Sequence, residues 1–148
     1  MLERGATVRV LDNGSRGHAR RLAANDRLER LEGDVRDPAV VTRAMNGVAT
    51  LCHLAAINGT RHFYERPYEV LDVGVRGTLC VLDAAAAAGV RDVLFMSSSE
   101  VYQTPPVVPT PEGVPATIPD VRNPRYSYAG SKLLGEQASL DIEGLCAA

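Results

Sequence analysis

Lysine, paired cysteines and long apolar runs are all scarce in this chain, and each shortage narrows what it can be. Of the 16 basic residues among 148, only Lys132 is a lysine; there are 3 cysteines and the net charge is -2. An odd set of cysteines, Cys52, Cys80 and Cys146, without metal-ligand spacing implies neither a disulfide framework nor a zinc site. Two of them fall in apolar runs, where a thiol packs as a small hydrophobe. The arginines are scattered and form no basic stripe, so nucleic acid is not an expected partner. No segment reaches the apolar length of a membrane span, and the start Met1-Leu2-Glu3-Arg4-Gly5 has neither the charged-then-apolar order nor the cleavage site of a secretory signal. The expectation is a cytoplasmic protein with no membrane partner.

What is present is an alternation of short β-rich runs and longer helical patterns. That order implies crossover units and a parallel sheet covered on both faces, hence an α/β domain of doubly wound type. Four strands are read: Ala6 to Leu11, Leu28 to Gly33, Val48 to Leu54, and Val90 to Met96. A helix opens at Asp37-Pro38, with aspartate as N-cap and proline at the first helical position, and stops at Gly47. A longer one runs from Pro67 to Gly89 and ends in an alanine run followed by glycine. Seven prolines between positions 103 and 125 forbid a regular element there, which predicts a loop over a site. Helix resumes near Tyr126 and continues towards Leu140.

Ligands of open parallel sheets bind beyond the carboxyl ends of the strands. Asp12 closes the first strand, where a carboxylate can accept both ribose hydroxyls of an adenosine; it is also a common turn residue. Asp34-Val35 follows the second strand, suited either to an adenine contact or to capping the next helix. Leu54-Ala55-Ala56 follows the third, with small residues that permit close approach or simple core packing. His53, inside that apolar strand, reads as a satisfied core residue and is given no catalytic role. Ser98 follows the last strand. The single lysine stands four residues after Tyr128 in Tyr128-Ala129-Gly130-Ser131-Lys132, so phenol and ammonium share one helix face. A retained ammonium in an arginine-rich chain points to a purpose that a planar guanidinium does not serve.

In this order and spacing the motifs resemble the extended short-chain dehydrogenase/reductases, specifically the NAD-dependent nucleotide-sugar epimerases and dehydratases. Val10-Leu11-Asp12-Asn13 looks like the family's ribose-binding strand end, Gly33-Asp34-Val35-Arg36-Asp37 its adenine segment, and His53-Leu54-Ala55-Ala56 its third-strand motif. Ser98-Ser99-Glu100-Val101-Tyr102 resembles the catalytic serine segment, and Tyr128 with Lys132 the Tyr-x-x-x-Lys pair. The resemblance implies a Rossmann-like fold and NAD as cofactor, held by Asp12, Asn13, Asp34, Val35, Leu54, Ala55, Ala56, Tyr128 and Lys132. It implies a nucleotide-sugar substrate epimerised through a ketosugar, with Tyr128 as base, Lys132 lowering the phenol pKa and Ser98 positioning the hydroxyl. For the full-length form it implies a homodimer. Glu100 is either a second acid/base or a solvated loop carboxylate. Where sugar dehydratases of this family carry Asp-Glu, this chain has Ser99-Glu100, which disfavours dehydration and leaves decarboxylation as the nearer alternative.

Against the family pattern, the chain is expected to be a partial NAD-binding domain over residues 1–148. The first strand with its glycine-rich loop and the C-terminal substrate lobe find no counterpart, so the third strand would border an open slot, and a truncated non-catalytic remnant stays open as a reading. Gly74 stands in Asp72-Val73-Gly74-Val75 where the family carries an asparagine, and Gln103 where it carries a glycine.

Overall fold

The computed structural model describes residues 1–17 and 22–140; Cys146 lies outside them. Strand β1 is Val8–Asp12 and β2 is Leu28–Glu32, paired in parallel with Val8 opposite Leu28 and Asp12 opposite Glu32. Helix α1 is Pro38–Met45. Strand β3, Thr50–His53, pairs in parallel with β4, Asp92–Phe95, from Thr50 opposite Asp92 to His53 opposite Phe95. Among the described residues no ladder joins the two pairs, so the parallel sheet is interrupted, with β1 hydrogen-bonded only to β2 and β3 only to β4.

Each strand falls within the segment expected, or within one residue of it, and is shorter than the apolar run that contains it. The Asp37 carboxylate caps α1 as predicted, accepting from the Ala39 and Val40 amides at 2.9 and 3.3 Å. The helix expected from Pro67 to Gly89 is instead three joined pieces: α3, Pro67–Leu71; a π-helical turn, Asp72–Gly77; and α4, Thr78–Ala87. A further helix, α2 (Thr60–Glu65), was not read in the sequence. Residues 103–123 form neither helix nor strand, as the prolines require. After a 3₁₀ turn at Pro124–Tyr126, α5 runs from Ser127–Leu140.

Two apolar clusters hold these elements. Val41 and Met45 of α1 pack on Val81, Leu82 and Ala85 of α4, with Val90 beneath and Leu51 and Val93 of the β3-β4 pair alongside. Leu11 of β1 joins the same cluster, so both strand pairs lean on one core. Phe63, Val70 and Tyr128 form the second cluster, where α2, α3 and α5 meet. Cys52 and Cys80 are half-buried free thiols, and Cys80 packs against the first cluster as the small hydrophobe expected.

Candidate active site

The end of β4 is bolted to α5 through the lone lysine. Lys132 is 4% exposed and donates from Nζ to the Met96 carbonyl at 2.6 Å, one residue past the strand. The same ammonium lies 4.8 Å from the Phe95 ring centroid and 5.7 Å from that of Tyr128. Burial draws its pKa down. Close approach of helix and strand depends on Gly135: a Cβ there would stand 2.3 Å from Phe95 Cζ. Ser97 donates to the Glu136 carboxylate and ties the next residue of the loop to α5.

Tyr128, on the first turn of α5, is 6% exposed and stacks on Phe63 with ring centroids 5.2 Å apart and planes 12° from parallel. Ser98 lies beside the phenol. Ser98 Oγ also accepts from the Glu100 amide at 3.2 Å, capping the 3₁₀ turn Ser99–Tyr102. Burial holds the phenol pKa above its ordinary value, the neighbouring Ser98 hydroxyl pulls it down and the Glu100 charge pushes it up. The depression of the phenol by Lys132 that the sequence reading expected is not what this geometry produces. The ammonium sits over the ring face and is bound to Met96, and desolvation prevails.

Glu100 is not a free carboxylate. Arg125 grips it, with Nη2 2.9 Å from one oxygen and 2.8 Å from the other. Neither Arg125 nor Phe63 was singled out in the sequence. The proline-rich run masked the first, and α2 was too short to show a helical apolar period around the second. The proline loop does close over this corner: the Thr117 amide donates to the Val101 carbonyl at 3.0 Å, and Ile118 Cδ1 comes within 3.8 Å of where a Gly130 Cβ would stand.

At the ends of β1 and β3 the expected cofactor residues divide. Asp12 and Asn13 are exposed and use one side-chain oxygen each to accept the Gly14 and Ser15 amides, at 2.7 and 3.0 Å. Arg16 then donates to the Asn58 carbonyl and so ties the loop after β1 to the loop after β3. Between these loops lies an open cavity of about 300 Å³ lined by Ser15, Arg16, Ala56 and Asn58 with the start of α2. Ala55 is half-buried beside it in sequence, and Leu54 is exposed. This crevice lies beyond the strand ends, where an open parallel sheet takes its ligands. Asp34 fits less well. Both its oxygens receive the Arg36 guanidinium, at 2.9 and 2.6 Å, which holds the carboxyl at about 2, and Arg36 also bonds Asp72 at 2.7 Å. Val35 points into the core, where a Cβ on Gly77 would meet its Cγ2 at 2.7 Å.

His53, 4% exposed, is the core residue it was read as. Thr78 Oγ1 spends its proton on the Gly74 carbonyl at 2.6 Å, so at the 3.0 Å contact with His53 it must accept, and Nε2 carries the imidazole proton. Burial lowers the histidine to about 4, with the Lys132 charge adding to the effect. No cluster of metal-ligating side chains occurs among the described residues, and no described helix is long and apolar enough to cross a membrane.

Known proteins resemble this chain in sequence and fold. The sequence matches the NAD dependent epimerase/dehydratase family over residues 1–144. It is 33% identical over 133 residues to a UDP-glucose 4-epimerase of Corynebacterium glutamicum, covering 90% of this chain and 38% of that protein. With a UDP-glucose 4-epimerase of Mycolicibacterium smegmatis the identity is 34% over 141 residues, covering 92% and 43%. Among solved structures, the Bifidobacterium longum UDP-glucose 4-epimerase in complex with NAD+ and UDP superposes with a TM-score of 0.82 at 28% identity, covering 97% of this chain and 43% of that one. The chain thus spans about two fifths of the length of these relatives. On the match over nearly all of its residues, the chain belongs to the NAD-dependent epimerase/dehydratase family of enzymes.

Proposed function

We propose that this chain is the catalytic-pair portion of an NAD-dependent nucleotide-sugar epimerase, with a UDP-hexose as the favoured substrate. The observation that carries the reading is the Tyr128 phenol beside Ser98 with Lys132 buried one turn further along α5, all beyond the end of β4. The likeness to several UDP-glucose 4-epimerases supports the choice of nucleotide. Asp12 and Asn13 would hold the adenosine ribose of NAD, the Ala55-Ala56 crevice would admit its diphosphate, and Lys132 would hold the nicotinamide ribose. Asp34 and Val35 keep a lesser part, since ion pairing and core packing occupy them. Bound NAD supplies a reversible hydride acceptor.

Tyr128 takes the proton from the sugar hydroxyl as that carbon is oxidised to a ketone, and returns it when the ketosugar is reduced from its other face. Ser98 donates to the same oxygen and stabilises the charge that develops on it. Because the buried phenol favours its protonated form, the step needs a compensating positive charge. Lys132, 5.7 Å from the Tyr128 ring centroid, would supply it. Decarboxylation is the second reading, because Ser99-Glu100 suits it, and the family also includes dehydratases. A dTDP-glucose 4,6-dehydratase of Streptomyces venezuelae superposes at 27% identity with a TM-score of 0.78, covering 88% of this chain and 40% of that one. Against dehydration stands the grip of Arg125 on Glu100, which removes the free acid that expulsion of water requires. A non-catalytic remnant is the reading from another class.

The α4/α5 face supports a homodimer. Leu79 and Leu134 are 47% and 52% exposed, and with Val75 they line a shallow groove between the two helices. The function is tested by following conversion of UDP-glucose to its C4 epimer by the encoded protein. Tyr128→Phe should lower kcat by on the order of 10²-fold or more, the usual weight of a general base. Undiminished turnover by that variant excludes Tyr128 as base, and absence of both NAD binding and turnover in the wild type favours the remnant.

A further inference from the structure

The residues around Tyr128 close into a ring of contacts drawn from three parts of the chain. Phe63 of α2 stacks on the phenol ring. Over the face of Phe63 lies the Arg125 guanidinium, 5.3 Å from the ring centroid. Arg125 grips both Glu100 oxygens, the Glu100 amide donates to Ser98 Oγ, and Ser98 lies beside the Tyr128 phenol. Asn123 fixes the arginine backbone by accepting the Arg125 amide at 3.0 Å.

The ion pair in this ring is not an ordinary surface pair. The Arg125 and Glu100 side chains are 26% and 32% exposed, and Arg125 Nη1 is fully buried with no hydrogen-bond partner. Burying a donor unsatisfied costs stability, so the guanidinium is kept at this place against a penalty. Two properties suit it to the position. Its charge cancels a carboxylate that would otherwise oppose ionisation of the neighbouring phenol, and its flat face stacks on an aromatic ring as an ammonium cannot.

We propose that Arg125 is a positioning residue for Tyr128: it neutralises Glu100 and presses Phe63 onto the phenol, so that Tyr128 and Ser98 stay aimed at one substrate oxygen. The inference rests on the reading of Tyr128 as the base. The charged and titratable groups that face the phenol are Glu100 from the 3₁₀ turn, Lys132 from α5 and Arg125 itself, with Tyr64 and Tyr126 near the guanidinium. Of these, Glu100 raises the phenol pKa, so removing its partner exposes the phenol to the full charge.

The test replaces Tyr128 by 3,5-difluorotyrosine, whose fluorines bring the phenol into an accessible pH range, and follows its titration by fluorine NMR in the encoded protein. Arg125→Met should raise the midpoint by about one unit, the size of a nearby uncompensated charge. Glu100→Gln should lower it by a similar amount, and Arg125→Met with Glu100→Gln should bring it back towards the unmutated value. A midpoint unmoved by Arg125→Met overturns the proposal. So does one unmoved by Glu100→Gln, a substitution that keeps the arginine and decides the matter even if Arg125→Met does not fold. None of these midpoints requires turnover. Full activity of Tyr128→Phe would defeat the Tyr128 reading alone and leave the titrations standing.

Discussion

Gly74 and Ser131 pass so closely that a Cβ on Gly74 would stand 2.5 Å from both Cβ and Oγ of Ser131. The position is therefore not a weak spot in a helix, as the replacement of an asparagine by glycine first suggests. The π-helical turn Asp72–Gly77 brings backbone against α5 one residue before Lys132, and any side chain at 74 would push that helix away. Gly74→Ala should gain up to about 1 kcal/mol of helix propensity. It should lose more to overpacking, typically about 1–3 kcal/mol, because a serine Cβ cannot swing aside as a side-chain tip can. The net is a lowered thermal midpoint. Ser131→Gly in the same chain should recover part of the loss, and an unchanged midpoint in Gly74→Ala would show that α5 yields freely.

The buried histidine sets an acid limit on stability. His53 titrates at about 4 in the fold against 6.5 when exposed, so between those values the unfolded chain binds the extra proton. Stability should be fully present above about 6.5 and fall as pH drops towards 4, by on the order of 3 kcal/mol if the linkage is complete. Asp34 acts in a separate window. Its carboxyl is lowered from 3.8 to about 2, so the stability it lends is present above 3.8 and is lost only as pH falls towards 2. Urea titrations at pH 7, 4 and 2 resolve the two. His53→Gln should flatten the upper slope and leave the lower one intact; equal slopes in both proteins would rule out the histidine as its source.

How much of this was legible in advance follows the range of the interactions. The Tyr128–Lys132 pair and the Asp37 cap are local patterns, fixed by helical spacing and by the chemistry of the first turn. The four strands are local in the same sense, as apolar runs between turns. What escaped notice is set by contacts between distant segments. Phe63 meets Tyr128 across more than sixty positions, Arg125 reaches Glu100 over 25, and the π-helical turn exists where Gly74 and Gly77 meet Ser131 and Val35. Asp34 illustrates the same limit: its place after β2 suited an adenine contact, yet Arg36 and Asp72 form an ion-pair network around it that no spacing rule announces.

Gln103, where the family resemblance expects glycine, holds φ at +50° with ψ at -105°, a conformation that costs a residue with a Cβ. The side chain offsets some of this by donating to the Glu100 carbonyl. Gln103→Gly should relieve about 1–2 kcal/mol of backbone strain and forfeit about 1 kcal/mol for the lost hydrogen bond and the extra chain entropy. A small net rise in thermal midpoint is expected, while Gln103→Ala, which keeps the strain and loses the bond, should lower it. If both variants fall together, the hydrogen bond outweighs the strain.

The groove between α4 and α5 gives the last expectation. Leu79 and Leu134 are half exposed on adjacent helices, with Gln137 as a polar neighbour and no charged side chain lining the groove. Apolar surface of this kind is matched most simply by a second copy, since a two-fold interface pairs one patch with itself. If the proposed homodimer uses this face, Leu79→Glu with Leu134→Glu places four carboxylates in the interface and should give a monomer in sedimentation velocity at micromolar concentration where the unmutated protein gives a dimer. The substituted residues make no contact with Tyr128 or Ser98 in this arrangement, so the monomer should keep the Tyr128 titration even as its thermal midpoint becomes independent of concentration. A dimer that survives both substitutions must be held by another face.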